Sequence, residues 1–205
     1  MIVIIDSGMG NFGSVANMLR KVGADAIISS NVSTIEEADK LILPGVGSFD
    51  SVTKSMKERN LISVLTYKVL EKKTPILGIC LGLQLFTQRS EEGQLPGLGW
   101  LKAETVRFRF EKSNSCLKIP HMGWNTVQET RPHPLLLEME PDFRFYFVHS
   151  HHIVCRDEGL VVANSYYGYP FASVVAHENI LGVQFHPEKS HKFGMQLFQN
   201  FVRLT

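Results

Sequence analysis

A cysteine flanked by glycines, Gly78-Ile79-Cys80-Leu81-Gly82, stands where an apolar run meets a helix-like run. Pro75 to Ile79 is short, apolar and bounded by proline, as a buried strand is, and Leu81, Leu83, Leu85 and Phe86 have the spacing of a partly buried helix directly after it. A sharp strand-to-helix turn exposes its central side chain and crowds the backbone beside it, so glycines on either side of a nucleophile have a mechanical meaning. The unpaired N–H groups at the helix start favour an anion there, and so favour a thiolate at Cys80.

A nucleophilic cysteine needs a base. Gln184-Phe185-His186-Pro187-Glu188 follows the apolar run from Ile180 to Phe185, and catalytic groups of open α/β folds gather beyond the carboxyl ends of strands. In an extended segment residues two apart project to the same side, which lets Glu188 orient the His186 imidazole and stabilise its charged form. Pro187 stiffens the link. Cysteine, histidine and carboxylate together make a thiol version of the hydrolytic triad.

The elements that position these groups alternate. Ile2 to Asp6, Ala24 to Ser29 and Lys40 to Leu43 read as strands, with helical spacing over Ser14 to Val22, Val52 to Glu58 and Leu61 to Lys72. This order predicts βαβ units and an open, doubly wound α/β fold with a mostly parallel sheet. After Gly93, strand-like runs at Val106 to Phe110, Asn125 to Val127, Arg144 to Val148, Leu160 to Ser165, Ala172 to Ala176 and Ile180 to Phe185 predict antiparallel additions. A last helix is expected over His191 to Leu204, packing through Met195, Phe198 and Val202.

A chain of 205 residues, 44% of them hydrophobic, suffices for one sizeable core, so residues 1–205 read as a single domain. The net charge of +1, without basic runs interleaved with aromatics, argues against nucleic acid as a partner. Cys80, Cys116 and Cys155 are an odd set without ligand spacing, which supports neither a disulfide framework nor a zinc site. His149, His151 and His152 offer no metal centre, because adjacent strand residues face opposite ways and no carboxylate joins them. The Met1 to Ile5 run is too short for a signal-peptide core and no stretch is long enough to span a bilayer, so a cytoplasmic, membrane-free protein is expected.

The segments DSGMGNFGSV (Asp6 to Val15), LPGVGSF (Leu43 to Phe49), GICLGLQ (Gly78 to Gln84), PHMGWN (Pro120 to Asn125), FYFVHS (Phe145 to Ser150) and GVQFHPEKS (Gly182 to Ser190) give the chain a resemblance. It resembles the class I, or triad, glutamine amidotransferases, and among them the glutaminase subunits of imidazole glycerol phosphate synthase. The resemblance implies Cys80 as nucleophile, His186 as base and then acid, and Glu188 as its orienting group. Glutamine would pass through a glutamyl thioester, with no cofactor. The oxyanion would be held by the N–H of Leu81 and by the Gly45-Val46-Gly47 loop at Gly47, a segment that by itself also reads as an ordinary turn. Gln84, Glu92 and Ser150 match the substrate-binding positions, although Glu92 alone reads equally as a solvated charge in the turn from Ser90 to Gly93.

Ammonia released to water is mostly protonated and no longer nucleophilic, so the resemblance also implies a partner. That partner is a (β/α)8-barrel cyclase subunit, which takes ammonia through a tunnel and makes imidazole glycerol phosphate and aminoimidazole carboxamide ribotide. Gly10, Asn11, His121, Trp124 and Lys189 are the interface candidates, although His121 and Trp124 by themselves also read as core. Ser7 and His151 stand where the family usually has aromatic residues, and Ser48 and Asp50 vary beside the glycine loop. These departures leave open a surface-sugar amidotransferase with the same glutaminase chemistry. A silent scaffold subunit or a cysteine peptidase is the reading from other classes.

Overall fold

A computed structural model of the chain describes residues 1–111 and 117–204, so Cys116 lies outside the described residues. Strands β1 (Ile2–Ile5), β2 (Ala26–Ser29), β3 (Lys40–Gly45) and β4 (Ile76–Cys80) alternate with helices α1 (Phe12–Lys21), α2 (Val32–Glu36), α3 (Phe49–Glu58) and α4 (Leu61–Thr66). The last of these continues as a wider turn over Tyr67–Glu71. Helix α5 (Leu81–Leu85) follows β4 without a gap. The second half supplies β5 (Ala103–Arg107), β6 (His121–Thr126), β7 (Gln128–Glu129), β8 (Arg144–His149), β9 (His151–Cys155), β10 (Val161–Tyr166), β11 (Pro170–His177), β12 (Ile180–Val183) and α6 (His191–Arg203).

The main sheet runs β2-β1-β3-β4-β12-β11-β10-β7, with β9 joining β11 and β5 joining β9. Pairing is parallel from β2 to β12 and antiparallel beyond it. A separate ribbon pairs β6 with β8. Alternation along β1 sends Ile2 and Ile4 to one core and Val3 and Ile5 to the other. Helices α1 and α6 cover the first face through Met18, Leu19, Phe198 and Phe201; α3 and α4 cover the second through Val52, Met56, Leu61 and Leu65. This is the doubly wound mixed α/β architecture expected, with antiparallel strands appended to a parallel centre.

Four expectations shift. The strand expected over Asn125 to Val127 runs instead over His121–Thr126, paired along its whole length with β8. The strand expected over Val106 to Phe110 lies at Ala103–Arg107, because Phe108 and Phe110 leave the ladder for an aromatic cluster with Tyr167 and Tyr169. Strand β9 was unforeseen, since two histidines begin it. The α5 helix is wholly rather than partly buried, because β3 and β12 flank β4 and the helix packs down between their ends.

Candidate active site

Three adjacent parallel strands, β3, β4 and β12, end at one place, and each delivers a part of the site there. Cys80 closes β4 and opens α5 with φ 54° and ψ −109°. The strained residue at the elbow is thus the cysteine itself. Its glycines serve close packing: a Cβ at Gly82 would lie 1.8 Å from the Leu43 carbonyl, and one at Gly78 2.7 Å from the Leu83 nitrogen. Strain of this kind persists only where the surroundings over-determine it.

Past β12 the chain leaves the sheet. The His186 N–H donates to the Tyr146 carbonyl at 2.9 Å, and the Phe185 ring stacks on Phe145 with centroids 3.8 Å apart. Pro187–Lys189 then forms a tight helical turn, closed by the Ser190 hydroxyl donating to the His186 carbonyl at 2.6 Å. This turn, not an extended segment, brings Glu188 to the imidazole. Nδ1–H of His186 donates to Oε1 of Glu188 at 2.8 Å, and both side chains are buried. Asn11 Nδ2 donates to the same oxygen at 3.3 Å. Oε2 of Glu188 has no partner among the described residues, so the carboxylate is committed through one oxygen to His186 and Asn11.

Burial works against a charge on His186, but the negative Cys80 sulfur, a hydrogen bond to it and the Glu188 carboxylate outweigh burial and push the pKa up to about 10. A histidine whose folded pKa is raised binds its proton more tightly in the folded state. The stability this adds is complete below the unfolded value near 6.5 and disappears as pH rises through about 10. Thermal unfolding between about pH 7 and pH 10.5 is therefore expected to lose more midpoint in the wild type than in Cys80→Ala. Parallel curves would show that the sulfur does not hold the proton.

The cleft over Cys80 has a volume of about 340 Å³. Gly47 and Leu81 border it beside the cysteine, with Gly47 at φ +96° in the left-handed region that glycine tolerates. Gly45 pairs with Cys80 in register, which holds this loop against the elbow. Glu92 and Ser150 reach the cleft as expected. One oxygen of Glu92 accepts the Phe49 N–H at 3.0 Å, tying its loop to the start of α3. Asp50 reinforces that tie by accepting from the N–H groups of Gln94 and Leu95, and Ser48 caps α3 by accepting from the Ser51 N–H. The departures at Ser48 and Asp50 therefore serve the local fold. Ser7 does likewise: it is fully buried and its hydroxyl donates to the Met9 carbonyl at 3.3 Å.

The remaining candidates divide. Lys189 lines the cleft and lies over the Tyr146 ring at 5.8 Å, and no carboxylate among the described residues pairs with it. Trp124 is 45% exposed on β6, beside Met122 at 62%. Gly10 sits in the turn before α1, where a Cβ would lie 2.2 Å from the Phe12 ring. His121 is not on an open face: it is 3% exposed and stacks on Tyr167 at 4.1 Å, because strand alternation turns it opposite to Met122 and Trp124. Asn11 turns inward to Glu188. Gln84 borders the cleft, but its amino group is taken by the His151 carbonyl and by Gln184. Sequence reasoning gave no role to Gln184, whose Nε2 donates to Cys80 Sγ across 3.7 Å; its place two residues before His186 was the available signal. Among the described residues no group of three or more His, Cys, Asp or Glu is arranged to hold a metal ion, and no helix is long and apolar enough to cross a membrane.

The elbow cysteine, the histidine held by a glutamate and the glycine loop all lie within the stretch that one family profile matches. The class-I glutamine amidotransferase profile matches residues 3–204, and the chain belongs to that family. Within it, the relatives are imidazole glycerol phosphate synthase subunits. The chain is 52% identical over 203 residues to subunit HisH 2 of Methanococcus maripaludis, covering 99% of both chains. It is 50% identical over 205 residues to subunit HisH 2 of Pseudomonas aeruginosa, covering both completely, and 45% identical to HisH of Sulfurimonas denitrificans over 99% of this chain and 98% of that one. The fold also matches the PurLQS structure of Thermotoga maritima, with a TM-score of 0.73 and 18% identity over 98% of this chain and 96% of that one. A glutamine amidotransferase structure from the same organism matches with a TM-score of 0.63 and 18% identity over 91% of this chain and 75% of that one. At those identities the two structures speak for the fold alone.

Proposed function

We propose that this chain is the glutaminase of a two-subunit, cytoplasmic imidazole glycerol phosphate synthase and that Cys80, His186 and Glu188 carry the reaction. The observation that supports it most is the strained Cys80 facing the same cleft as a His186 locked onto Glu188. The thiolate attacks the side-chain amide carbon of glutamine. His186 gives its proton to the departing nitrogen, ammonia leaves, and a glutamyl thioester remains. Water, deprotonated by His186, then releases glutamate and regenerates the thiolate. The N–H groups of Leu81 and Gly47 hold the oxyanion, where loss of one donor typically costs about 2.7 to 4 kcal/mol. Glu92 has a second oxygen for the substrate ammonium, and backbone groups around Ser150 meet its polar end.

Ammonia passes to a cyclase subunit with a (β/α)8 barrel, seated on the face of Trp124, Met122 and Lys189. Glutamate release by the chain mixed with a histidine-pathway cyclase is expected to rise by at least about tenfold when the nucleotide substrate is added, since occupancy of one site is coupled to the other. Equal turnover by the free chain and the loaded complex would contradict that coupling. His151, standing at the cleft where an aromatic residue is usual, favours a second reading in which a surface-sugar enzyme receives the ammonia. Absence of stimulation by a cyclase active with ammonia would select it.

A further inference from the structure

Gln184 is fully buried, and one backbone carbonyl decides which way its amide faces. The His151 oxygen can only accept hydrogen bonds. Gln84 Nε2 lies 3.0 Å from it, so Gln84 presents its amino group there. The same amino group lies 3.2 Å from Gln184 Oε1, which leaves the Gln184 amino group toward Cys80 Sγ, 3.7 Å away. On the carbonyl's other side stands His149 Nδ1 at 2.8 Å, which must carry its hydrogen. A neutral imidazole has one N–H, so His149 Nε2 accepts, from His121 Nδ1 at 3.0 Å. His121 Nε2 in turn accepts from Asn125 Nδ2 at 3.3 Å. Every tautomer and amide orientation from β6 to the nucleophile thus follows from a single acceptor, where isolated rings and amides would leave them undetermined.

The surroundings keep both imidazoles in the single-proton form this arrangement needs. Burial pushes His121 down to about 4 and His149 well below the usual histidine range. His149 sits among Phe108, Phe147 and Phe171, and His121 is stacked between Phe147 and Tyr167. A buried polar network that is fully satisfied fixes one geometry, and none of these groups takes part in proton transfer by the triad.

We propose that Gln184 and Gln84 are positioning residues for Cys80, a buried hydrogen-bond network that aims the nucleophile's sulfur independently of His186 from the His151 carbonyl, which His149 and His121 brace from β8 and β6. The proposal rests on Cys80 being the nucleophile. Reactivity follows small displacements steeply, an ångström at an attacking atom being worth about a hundredfold.

The test uses the full chain and the chloroketone analogue of glutamine: the sulfur bonds to the chloromethyl carbon and chloride leaves. Saturation kinetics separate a limiting rate from a half-saturating concentration. In Gln184→Leu and His149→Leu the limiting rate is expected to fall by about tenfold to a hundredfold, with half-saturation changed by less than about twofold. His149→Asn, whose amide restores a donor in the place of Nδ1, is expected to recover most of the rate. A wild-type limiting rate in Gln184→Leu would overturn the proposal. Equal losses in His149→Asn and His149→Leu would overturn it too, because the loss would then follow ring packing. If Gln184→Leu does not fold, the His149 pair decides. Failure of the wild type itself to be labelled at Cys80 would refute the nucleophile reading, and this proposal with it, and is distinguishable from either of those results.

Discussion

Cys80→Ala is expected to lower glutamine hydrolysis by about five to six orders of magnitude, the scale on which removal of a covalent nucleophile acts when nothing else can replace it. Among the described residues no second thiol is in reach: Cys155 lies on β9, half-buried, and burial pushes its thiol up to about 11. The same variant is expected to leave synthesis from added ammonia intact in the complex, because the elbow is built from close backbone contacts at Gly78 and Gly82 rather than from the sulfur. Assays with glutamine and with ammonia, run in parallel on one preparation, separate the two effects. Loss of both would mean that Cys80 also supports folding or assembly.

Glu188→Gln is expected to reduce kcat by about three to four orders of magnitude with little change in KM, the scale seen when the carboxylate behind a triad histidine becomes an amide. The substitution keeps the shape of the side chain and removes its charge. Without that charge, less opposes the burial that works against a protonated His186. The amide also meets a conflict. Its oxygen can still receive both donors, His186 Nδ1 and Asn11 Nδ2, but its amino group then lies in the place of Oε2, which has no partner among the described residues. A fall of less than about tenfold, or one confined to KM, would place Glu188 outside the reaction.

Much of this was legible before any coordinates. Strands β1, β3 and β4 are apolar runs bounded by Pro, Gly or Asp, because a strand covered on both faces has no polar side to disguise it. The elbow of the proposed triad was legible for a related reason, since a turn that presents a nucleophile constrains its neighbours: a Cβ at Gly82 meets the Leu43 carbonyl. Residues whose polar atoms are satisfied far away in sequence were hidden. His121 and Asn11 were interface candidates through the resemblance, and each turns inward for a partner that only the fold supplies, His149 in one case and Glu188 in the other. Strand β9 was hidden in the same way, its two histidines buried against Phe108, Tyr169 and the cleft. Glu188 was expected beside His186 through an extended segment, and a tight turn brings it there instead.

The most direct test of the central claim is rapid acid quenching of the chain during turnover of isotopically labelled glutamine, followed by mass mapping of the peptides. A glutamyl adduct on the peptide bearing Cys80, lost on treatment with hydroxylamine as a thioester is, is the predicted result. Glutamine turnover without any adduct on that peptide, persisting in Cys80→Ala, would contradict the account.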